Sequence, residues 1–292
     1  MSYKAVLTRD RERSIIRHHI KRGQRPVIAN YHTHTTFCDG KNTPEEVILT
    51  AIEKGFTAIG FSGHGFTAFD RRYCMEDTAG YLRQMRELKE KYRGKIHVII
   101  GSEEDAFAPV NRSDYEYIIG SSHYFRDGDQ YYPIDSGPDY FARCLELFGG
   151  DHIRLAQTYY EQFCGYLAWR KPDIIGHFDL VTKFEERTPM FFNDPRYQQL
   201  SQKYLLEAIK TGCVFEVNTG AISRGYRTTP YPSREMLHTL KKHDARLILS
   251  SDSHRADTID FAFEEAKLIL KDVGFTHVYT FLDGQFVKDP LY

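Results

Sequence analysis

The stretch VIANYHTH, residues 27–34, begins with apolar residues and ends in a pair of histidines. Other runs along the chain change from apolar to polar in the same direction. They are TAIGFSGH (57–64), HVIIGSE (97–103), YEYIIGSSH (115–123), DIIGHFD (173–179), CVFEVN (213–218) and ARLILSSDSH (245–254), with THVYTF (276–281) as a further candidate. Short apolar runs that alternate with helical patterns are typical of βα units. The sequence therefore predicts an α/β fold around a parallel sheet, which is either open or closed into a barrel.

Helix signals lie between these runs. Thr43-Pro44-Glu45-Glu46 offers an N-cap, a proline at the first helical position and a capping-box glutamate, and Gly55 ends the pattern. AGYLRQMRELKEKYRG (79–94) has apolar residues at helical spacing. Further helices are predicted at 139–169, 195–210, 233–243 and 257–273. Because no linker divides the chain, we expect one domain at 27–292 behind a basic, helical extension at 1–26.

The composition excludes several classes of partner. The formal net charge is −1 with 27% charged residues, so neither nucleic acid nor a membrane is expected as a partner. No apolar run reaches the roughly 18 residues of a membrane span, and the N-terminus lacks the apolar core of a secretory signal. The 5 cysteines form no C-x-x-C pair, which predicts a reduced, cytoplasmic protein. The sequence leaves open whether the chain forms a homo-oligomer.

The polar ends of the predicted strands carry side chains that bind metals. Strand C-termini of a parallel α/β fold converge on one face, and residues two apart in a strand point to the same side. His32 with His34, and Asp252 with His254, can therefore each hold one ion together. The candidate donors are His32, His34, Asp39, His64, Glu103, His123, His177, Asp252 and His254. Glu104, Asp105, Asp179, Glu216 and Asn218 also lie at strand ends, without an assigned role.

The ligand chemistry narrows the choice of ion. Imidazole and carboxylate groups suit Zn, Fe, Mn, Ni or Co, and the absence of clustered thiolates argues against an iron–sulfur cluster. The donors are too many for one tetrahedral ion and suit two or three. Such a site lowers the pKa of a bound water and suits displacement at phosphorus, so hydrolysis is the expected reaction. A lone histidine is more often structural, and that interpretation is kept for His18, His19, His97, His152, His238, His243 and His277.

The ordered motifs resemble those of the polymerase-and-histidinol-phosphatase (PHP) superfamily over residues 27–285. The motifs are H-x-H-x4-D, GFSGH, G-x-E-x-D, IGSSHYF, IIGHFDL and SSDSH, while IIGHFDL and VNTGAISRGYRTTPYPS (217–233) resemble the histidinol-phosphate phosphatase branch. The resemblance implies a distorted (β/α)7 barrel with a trinuclear site at the C-terminal ends of the strands. It implies that the candidate donors are the ligands and that Glu103, rather than Glu104, is the bridging carboxylate. It also implies hydrolysis of L-histidinol phosphate to L-histidinol in histidine biosynthesis.

The expected mechanism is attack on phosphorus by a metal-bridging hydroxide. The leaving alkoxide would take a proton from a metal-bound water, Asp252 or His254. A phosphate monoester also needs cations aimed at its outer oxygens, for which Arg224 ranks first, Lys183 second and Arg227 lower. The alternative to phosphate binding, for each of these residues, is that it is a solvated cation on the surface.

Other interpretations share part of this pattern. A PHP phosphoesterase acting on a nucleotide, a sugar phosphate or phosphotyrosine would use the same metal ligands. An amidohydrolase-type enzyme normally has a lysine at a strand end, where this chain offers Glu103 and His123. A non-catalytic PHP module commonly loses ligands, whereas this sequence keeps the set. The expected partner is therefore a small phosphate monoester, and the expected cofactors are two or three Zn, Fe or Mn ions.

Overall fold

The computed structural model describes residues 28–291, so the predicted extension at 1–26 lies outside the described residues. The strands are β1 (Ala29–Asn30), β2 (Ala58–Phe61), β3 (His97–Asp105), β4 (Tyr117–Ser121), β5 (Tyr124–Asp127), β6 (Gln130–Pro133), β7 (Ile174–Ile175), β8 (Val214–Asn218), β9 (Leu247–Ser250), β10 (His277–Leu282) and β11 (Gln285–Pro290). The helices are α1 (Pro44–Glu53), α2 (Thr78–Lys91), α3 (Pro138–Leu147), α4 (His152–Arg170), α5 (Pro195–Ile209), α6 (Gly220–Ser223), α7 (Arg234–Lys242) and α8 (Phe263–Val273).

One large sheet organises the described residues. Its strand order is β1-β2-β3-β4-β7-β8-β9-β10-β11, and every pairing is parallel except that of β10 with β11. The strands β5 and β6 form a separate antiparallel hairpin. The predicted α/β fold with a parallel sheet, and each of the predicted strands, are confirmed.

The distorted (β/α)7 barrel that the resemblance implies is not confirmed, because the strand order has two free ends, β1 and β11. A single isolated parallel bridge, between Thr33 and Ser253, joins the chain just after β1 to the chain just after β9. Between these segments the Asn30 side chain takes the place of backbone pairing. Its Oδ1 accepts hydrogen bonds from the backbone N–H groups of His32, at 3.1 Å, and Ser251, at 3.2 Å. Side-chain hydrogen bonds thus lie between β1 and β9, which are not neighbours in the strand order.

Local signals account for most helix boundaries. The capping box at α1 is confirmed, since Thr43 Oγ1 accepts from Glu46 N and Glu46 Oε2 accepts from Thr43 N. The single helix expected at 139–169 is wrong: Gly149 and Gly150 adopt φ angles of 63° and 85°, which end α3 before α4 begins. The helix expected from residue 257 begins at Phe263, after a short 3-10 turn at Ala256–Thr258.

The core lies on both faces of the sheet. Helices α4, α5, α7 and α8 cover one face with buried aromatic and aliphatic side chains, and the opposite face is filled by Tyr31, Tyr117, Ile174, Val214 and Phe281. The polar strand ends are buried on this scaffold, which fixes their side chains in place. Within residues 28–291, none of the helices combines the length and the apolar character that crossing a bilayer requires.

Candidate metal centre

Glu103 lies near the end of β3, is 1% exposed, and has imidazole nitrogens on both sides of its carboxylate. Distances from Oε2 are 3.1 Å to His32 Nε2, 3.5 Å to His34 Nε2 and 3.0 Å to His64 Nδ1. Distances from Oε1 are 3.2 Å to His123 Nε2 and 3.0 Å to His177 Nε2. With each oxygen facing different histidines, this carboxylate has the arrangement that bridging two ions requires.

Asp39 and Asp252 complete the cluster beside His34 and His254. Asp39 Oδ2 lies 3.1 Å from His254 Nε2, and Asp39 Oδ1 lies 3.5 Å from His34 Nδ1. Asp252 Oδ1 lies 3.2 Å from His34 Nε2. The structure thus brings all the predicted metal ligands into one contiguous cluster, although they come from strand ends distributed between residues 32 and 254.

Three overlapping sets of donor atoms each fit within 4.8 Å. The sets are His34, Asp39, His64 and His254; His32, His34 and Glu103; and His64, Glu103 and His123. His34, His64 and Glu103 each belong to two of the three sets. Ions bound by these sets would therefore be neighbours. This arrangement is compatible with the expected two or three ions and with imidazole and carboxylate ligation of a transition metal.

The cluster contains buried polar atoms that lack hydrogen bonds. Within residues 28–291, His32 Nε2, His34 Nε2, Asp39 Oδ1 and Glu103 Oε2 are buried without a hydrogen-bond partner. Buried polar atoms are nearly always paired, because removing them from water is costly. Each of these atoms offers a lone pair to a cation, so metal binding would satisfy them together. The residues present therefore fit a metal centre.

The protonation states suit ligation at two of these residues. Burial, together with repulsion from His254 and His64, lowers the pKa of His34 to about 3 and keeps its imidazole neutral. Burial would raise the pKa of Glu103, but the surrounding histidines, His32 first, lower it well below its usual range. A neutral imidazole and an ionised carboxylate are the forms that bind metals.

Two further carboxylates hold the histidines in place. Glu216 Oε1 lies 2.6 Å from His32 Nδ1, and its Oε2 accepts a hydrogen bond of 2.9 Å from the backbone N–H of His177. Asp105 Oδ2 accepts from His123 N at 2.9 Å. Such partners fix the tautomer and orientation of ligating histidines. Both carboxylates lie at predicted strand ends, where the sequence alone assigns them no role. For Asp105 the available signal is its position two residues after Glu103 in one strand.

Glu104 points away from the centre. It accepts hydrogen bonds from Tyr166 Oη at 2.5 Å and from Arg170 Nε at 2.6 Å. Neighbouring residues of a strand project to opposite faces, so only one of the two glutamates can face the histidines. In the structure that residue is Glu103.

The predicted substrate cations are both engaged with carboxylates. Arg224 donates to Asp252 from two nitrogens and lies 3.3 Å from His254 Nδ1, so it borders the cluster. Lys183 donates from Nζ to Asp135, a residue for which the sequence offered no signal. Arg227 is 3% exposed, lies over the ring of Tyr231 at 4.3 Å and donates to Thr182.

Comparisons with known proteins agree with this geometry. A model of the PHP domain matches residues 30–220. The chain is 27% identical over 275 residues to a Schizosaccharomyces pombe protein named "Probable histidinol-phosphatase", covering 86% of this chain and 88% of that one. It is 26% identical over 257 residues to the histidinol-phosphatase of Bacillus subtilis, covering 80% and 96%. The fold is similar to that of the histidinol phosphate phosphatase of Lactococcus lactis in complex with zinc, L-histidinol and phosphate, with a TM-score of 0.66 and 19% identity over 89% and 98% of the two chains.

Proposed function

The chain belongs to the PHP domain family, and from that membership we propose that it is a metal-dependent phosphatase that hydrolyses L-histidinol phosphate to L-histidinol and phosphate. The observation that carries the proposal is the set of imidazoles around Glu103, with Arg224 at its border. The names of the fission yeast and Bacillus relatives, and the ligands in the Lactococcus structure, support this substrate.

The nine candidate donors would hold two or three Zn, Fe or Mn ions. They are His32, His34, Asp39, His64, Glu103, His123, His177, Asp252 and His254. Ions bound there supply positive charge to the phosphoryl oxygens and lower the pKa of a water. The overlap of the donor sets at Glu103 supports more than one ion.

The chain's own cations orient the phosphate. Arg224 uses Nη1 and Nη2 on Asp252, and its side chain is 30% exposed, so the remaining N–H groups can reach a ligand. Lys183 is the second phosphate cation. Asp252 and His254 are the candidate proton donors to the leaving oxygen, and His254 is the more accessible, with 23% of its side chain exposed against 7% for Asp252.

Residues 27–292 would form a single domain, and the parallel strands a distorted (β/α)7 barrel. Hydrogen bonds of 2.8 Å from His34 N to Ser253 O, and of 3.1 Å from Ser253 N to His32 O, support closure at the strand ends that carry the ligands. The five free cysteines support a reducing compartment such as the cytoplasm.

The proposal is tested by phosphate release from L-histidinol phosphate, with nucleotides, sugar phosphates and phosphotyrosine as competing substrates. Enzyme is reconstituted separately with Mn, Fe and Zn, and its metal content is measured. We expect a preference for L-histidinol phosphate of at least about 100-fold in kcat/KM, since a site built for polar groups strongly rejects analogues that lack them. His32→Ala should abolish hydrolysis of L-histidinol phosphate.

Similar slow turnover of every ester would retain the phosphatase activity and contradict the substrate. Absence of turnover with every metal, in protein shown to be metal-loaded, would contradict both.

A further inference from the structure

Asp135 lies beside the metal centre without contacting its ligands. It follows the β5–β6 hairpin, and the neighbouring Ile134 donates a backbone hydrogen bond of 2.8 Å to the carbonyl of His123. The side chain of Asp135 is 20% exposed, so a ligand in the site can reach it. This carboxylate has no part in the metal centre or in the hydrolytic roles described above.

Lys183 reaches Asp135 from the loop that follows β7. Its Nζ donates to Asp135 O at 2.9 Å and to Asp135 Oδ2 at 3.0 Å, and it lies 5.0 Å from the ring centre of Tyr226. A lysine ammonium has three donors, so two are used and one remains. On the carboxylate, Oδ2 is the oxygen that Lys183 binds, and within residues 28–291 no donor contacts Oδ1.

The Asp135 carboxylate is ionised and lies near the imidazoles of His123 and His177. Burial would raise the pKa of Asp135, but Lys183 and then His123 outweigh it and lower that pKa, so the carboxylate stays ionised. Asp135 also interacts electrostatically with Arg224 at the other border of the cluster. The site therefore presents one fixed anion and one fixed cation side by side, each with bonding capacity left.

We propose that the Asp135–Lys183 pair selects phosphate esters that carry an ammonium group on the carbon next to the ester-bearing carbon. Asp135 Oδ1 accepts a hydrogen bond from the substrate ammonium, and the third N–H of Lys183 donates to the phosphate. In a 2-aminoalkyl phosphate only two carbons separate the ammonium nitrogen from the ester oxygen, so its opposite charges are neighbours, as they are on the protein pair. The inference rests on the proposed function, because L-histidinol phosphate belongs to this class, and it assigns the residue that recognises the amine.

A purely structural role for the pair makes a different prediction. If the ion pair only joined the loops after β6 and β7, breaking it would lower stability and slow all esters alike. Recognition of the amine requires that only esters with an ammonium group lose affinity. The ratio between matched esters with and without the amine therefore separates the two roles.

The experiment measures kcat and KM of the metal-loaded full chain on two matched pairs of esters. One pair is L-histidinol phosphate and 3-(imidazol-4-yl)propyl phosphate; the other is 2-aminoethyl phosphate and ethyl phosphate. We expect the wild type to prefer the amine of each pair by about 10- to 100-fold, the effect of one charge-assisted hydrogen bond. Asp135→Asn should remove most of that preference through the KM of the amine esters, and Lys183→Met should weaken all four esters.

The matched control is Asp272→Asn, which changes an exposed carboxylate paired with Arg234. It should leave both ratios unchanged. If Asp135→Asn does not fold, Asp135→Glu replaces it; because it keeps the charge and displaces the oxygen, it should lower the ratio without abolishing it. Equal ratios in the wild type and the folded Asp135 variant would overturn the proposal.

The two proposals fail separately. If L-histidinol phosphate is not hydrolysed while 2-aminoethyl phosphate is preferred to ethyl phosphate, the proposed function fails and amine recognition stands. If L-histidinol phosphate is hydrolysed no faster than its deaminated analogue, the inference fails and the phosphatase stands. Failure of all four esters overturns both.

Discussion

Arg224 binds Asp252 through two nitrogens: Nη1 donates to the Asp252 carbonyl and Nη2 to Oδ2, both at 2.8 Å. The other carboxylate oxygen, Oδ1, faces His34 Nε2 at 3.2 Å. Asp252 adopts a φ of 47°, a left-handed conformation that costs a non-glycine residue about 1–2 kcal/mol. The arginine therefore holds the side chain of a residue with a strained backbone, and it borders the site where phosphate would bind.

Replacing Arg224 by lysine should separate charge from geometry. A single ammonium cannot bind the Asp252 carbonyl, Asp252 Oδ2 and a phosphate in the same arrangement. We therefore expect kcat/KM for phosphate esters to fall about 10- to 100-fold. Metal content is measured alongside kcat/KM, so that a loss of bound ions is distinguished from a loss of phosphate binding. Arg234→Lys, on the exposed Arg234–Asp272 pair, is the control. Unchanged kcat/KM in Arg224→Lys would contradict this role.

Gly220 provides room for the same contact. A Cβ there would lie 2.9 Å from Asp252 Cβ and 2.9 Å from Arg224 Nη2, and the Asp252 Cβ cannot move without its backbone. We therefore expect Gly220→Ala to lower kcat/KM by about tenfold or more, in line with loss of a residue that orients a metal ligand.

Gly165→Ala is the matched control, because a Cβ at Gly165 meets nothing within 4 Å and the residue lies inside α4. It should raise the free energy of unfolding by about 0.5–1 kcal/mol and leave kcat/KM unchanged. Equal activities of the two alanine variants would show that the space beside Asp252 is unimportant.

Glu103→Gln and Glu104→Gln should affect different properties of the protein, metal binding in the first and stability in the second. The first removes the charge that faces the histidines, so we expect a loss of bound metal and a fall in activity greater than about 100-fold. The second leaves Arg170 without its buried partner, so we expect about 3 kcal/mol less stability with metal content retained. Metal analysis and urea denaturation distinguish the two. Full metal content in Glu103→Gln would refute the bridging role proposed for Glu103.

Glu216→Gln tests whether the hydrogen bond between Glu216 and His32 contributes to metal affinity. The Glu216 carboxylate lies 2.6 Å from His32 Nδ1, and partners of this kind contribute about 10- to 100-fold to metal affinity. We therefore expect Glu216→Gln to lower metal affinity by about that factor, as measured by titration with a competing chelator. Asp194→Asn alters another carboxylate–histidine pair, 3.0 Å from His152 and away from the centre, and keeps an N-cap side chain. It should not change metal affinity; comparable losses in both variants would point to a general effect on folding.

Thr43→Ala removes the cap of α1, since Thr43 Oγ1 accepts the hydrogen bond from Glu46 N. We expect a loss of about 1 kcal/mol in the free energy of unfolding, with kcat/KM unchanged, because none of the proposed metal ligands lies in α1. Urea denaturation of metal-loaded protein measures it. Thr50→Ala serves as control, because the Thr50 hydroxyl bonds within the helix, to Glu46 O, and caps nothing.

The positions of the proposed metal ligands were predictable because they depend on regular geometry. A strand that changes from apolar to polar places its last residues at one edge of a parallel sheet, and spacing by two places His32 beside His34. The capping box at Thr43 was predictable for the same reason, since its atoms are only three residues apart. The Gly149-Gly150 break was missed although both residues were visible, because apolar helical spacing continues on either side of it.

By itself, the amino-acid sequence determined the alternation of strands and helices and the kinds of side chain at the strand ends, since both follow from interactions between near neighbours. Only the tertiary structure decided the partners: Arg224 with Asp252, Lys183 with Asp135, and Asn30 with Ser251, which is 221 residues away. It also decided the isolated bridge between Thr33 and Ser253. Such contacts join segments that are distant along the chain, and their geometry is set by how the helices pack the strands together rather than by any local pattern.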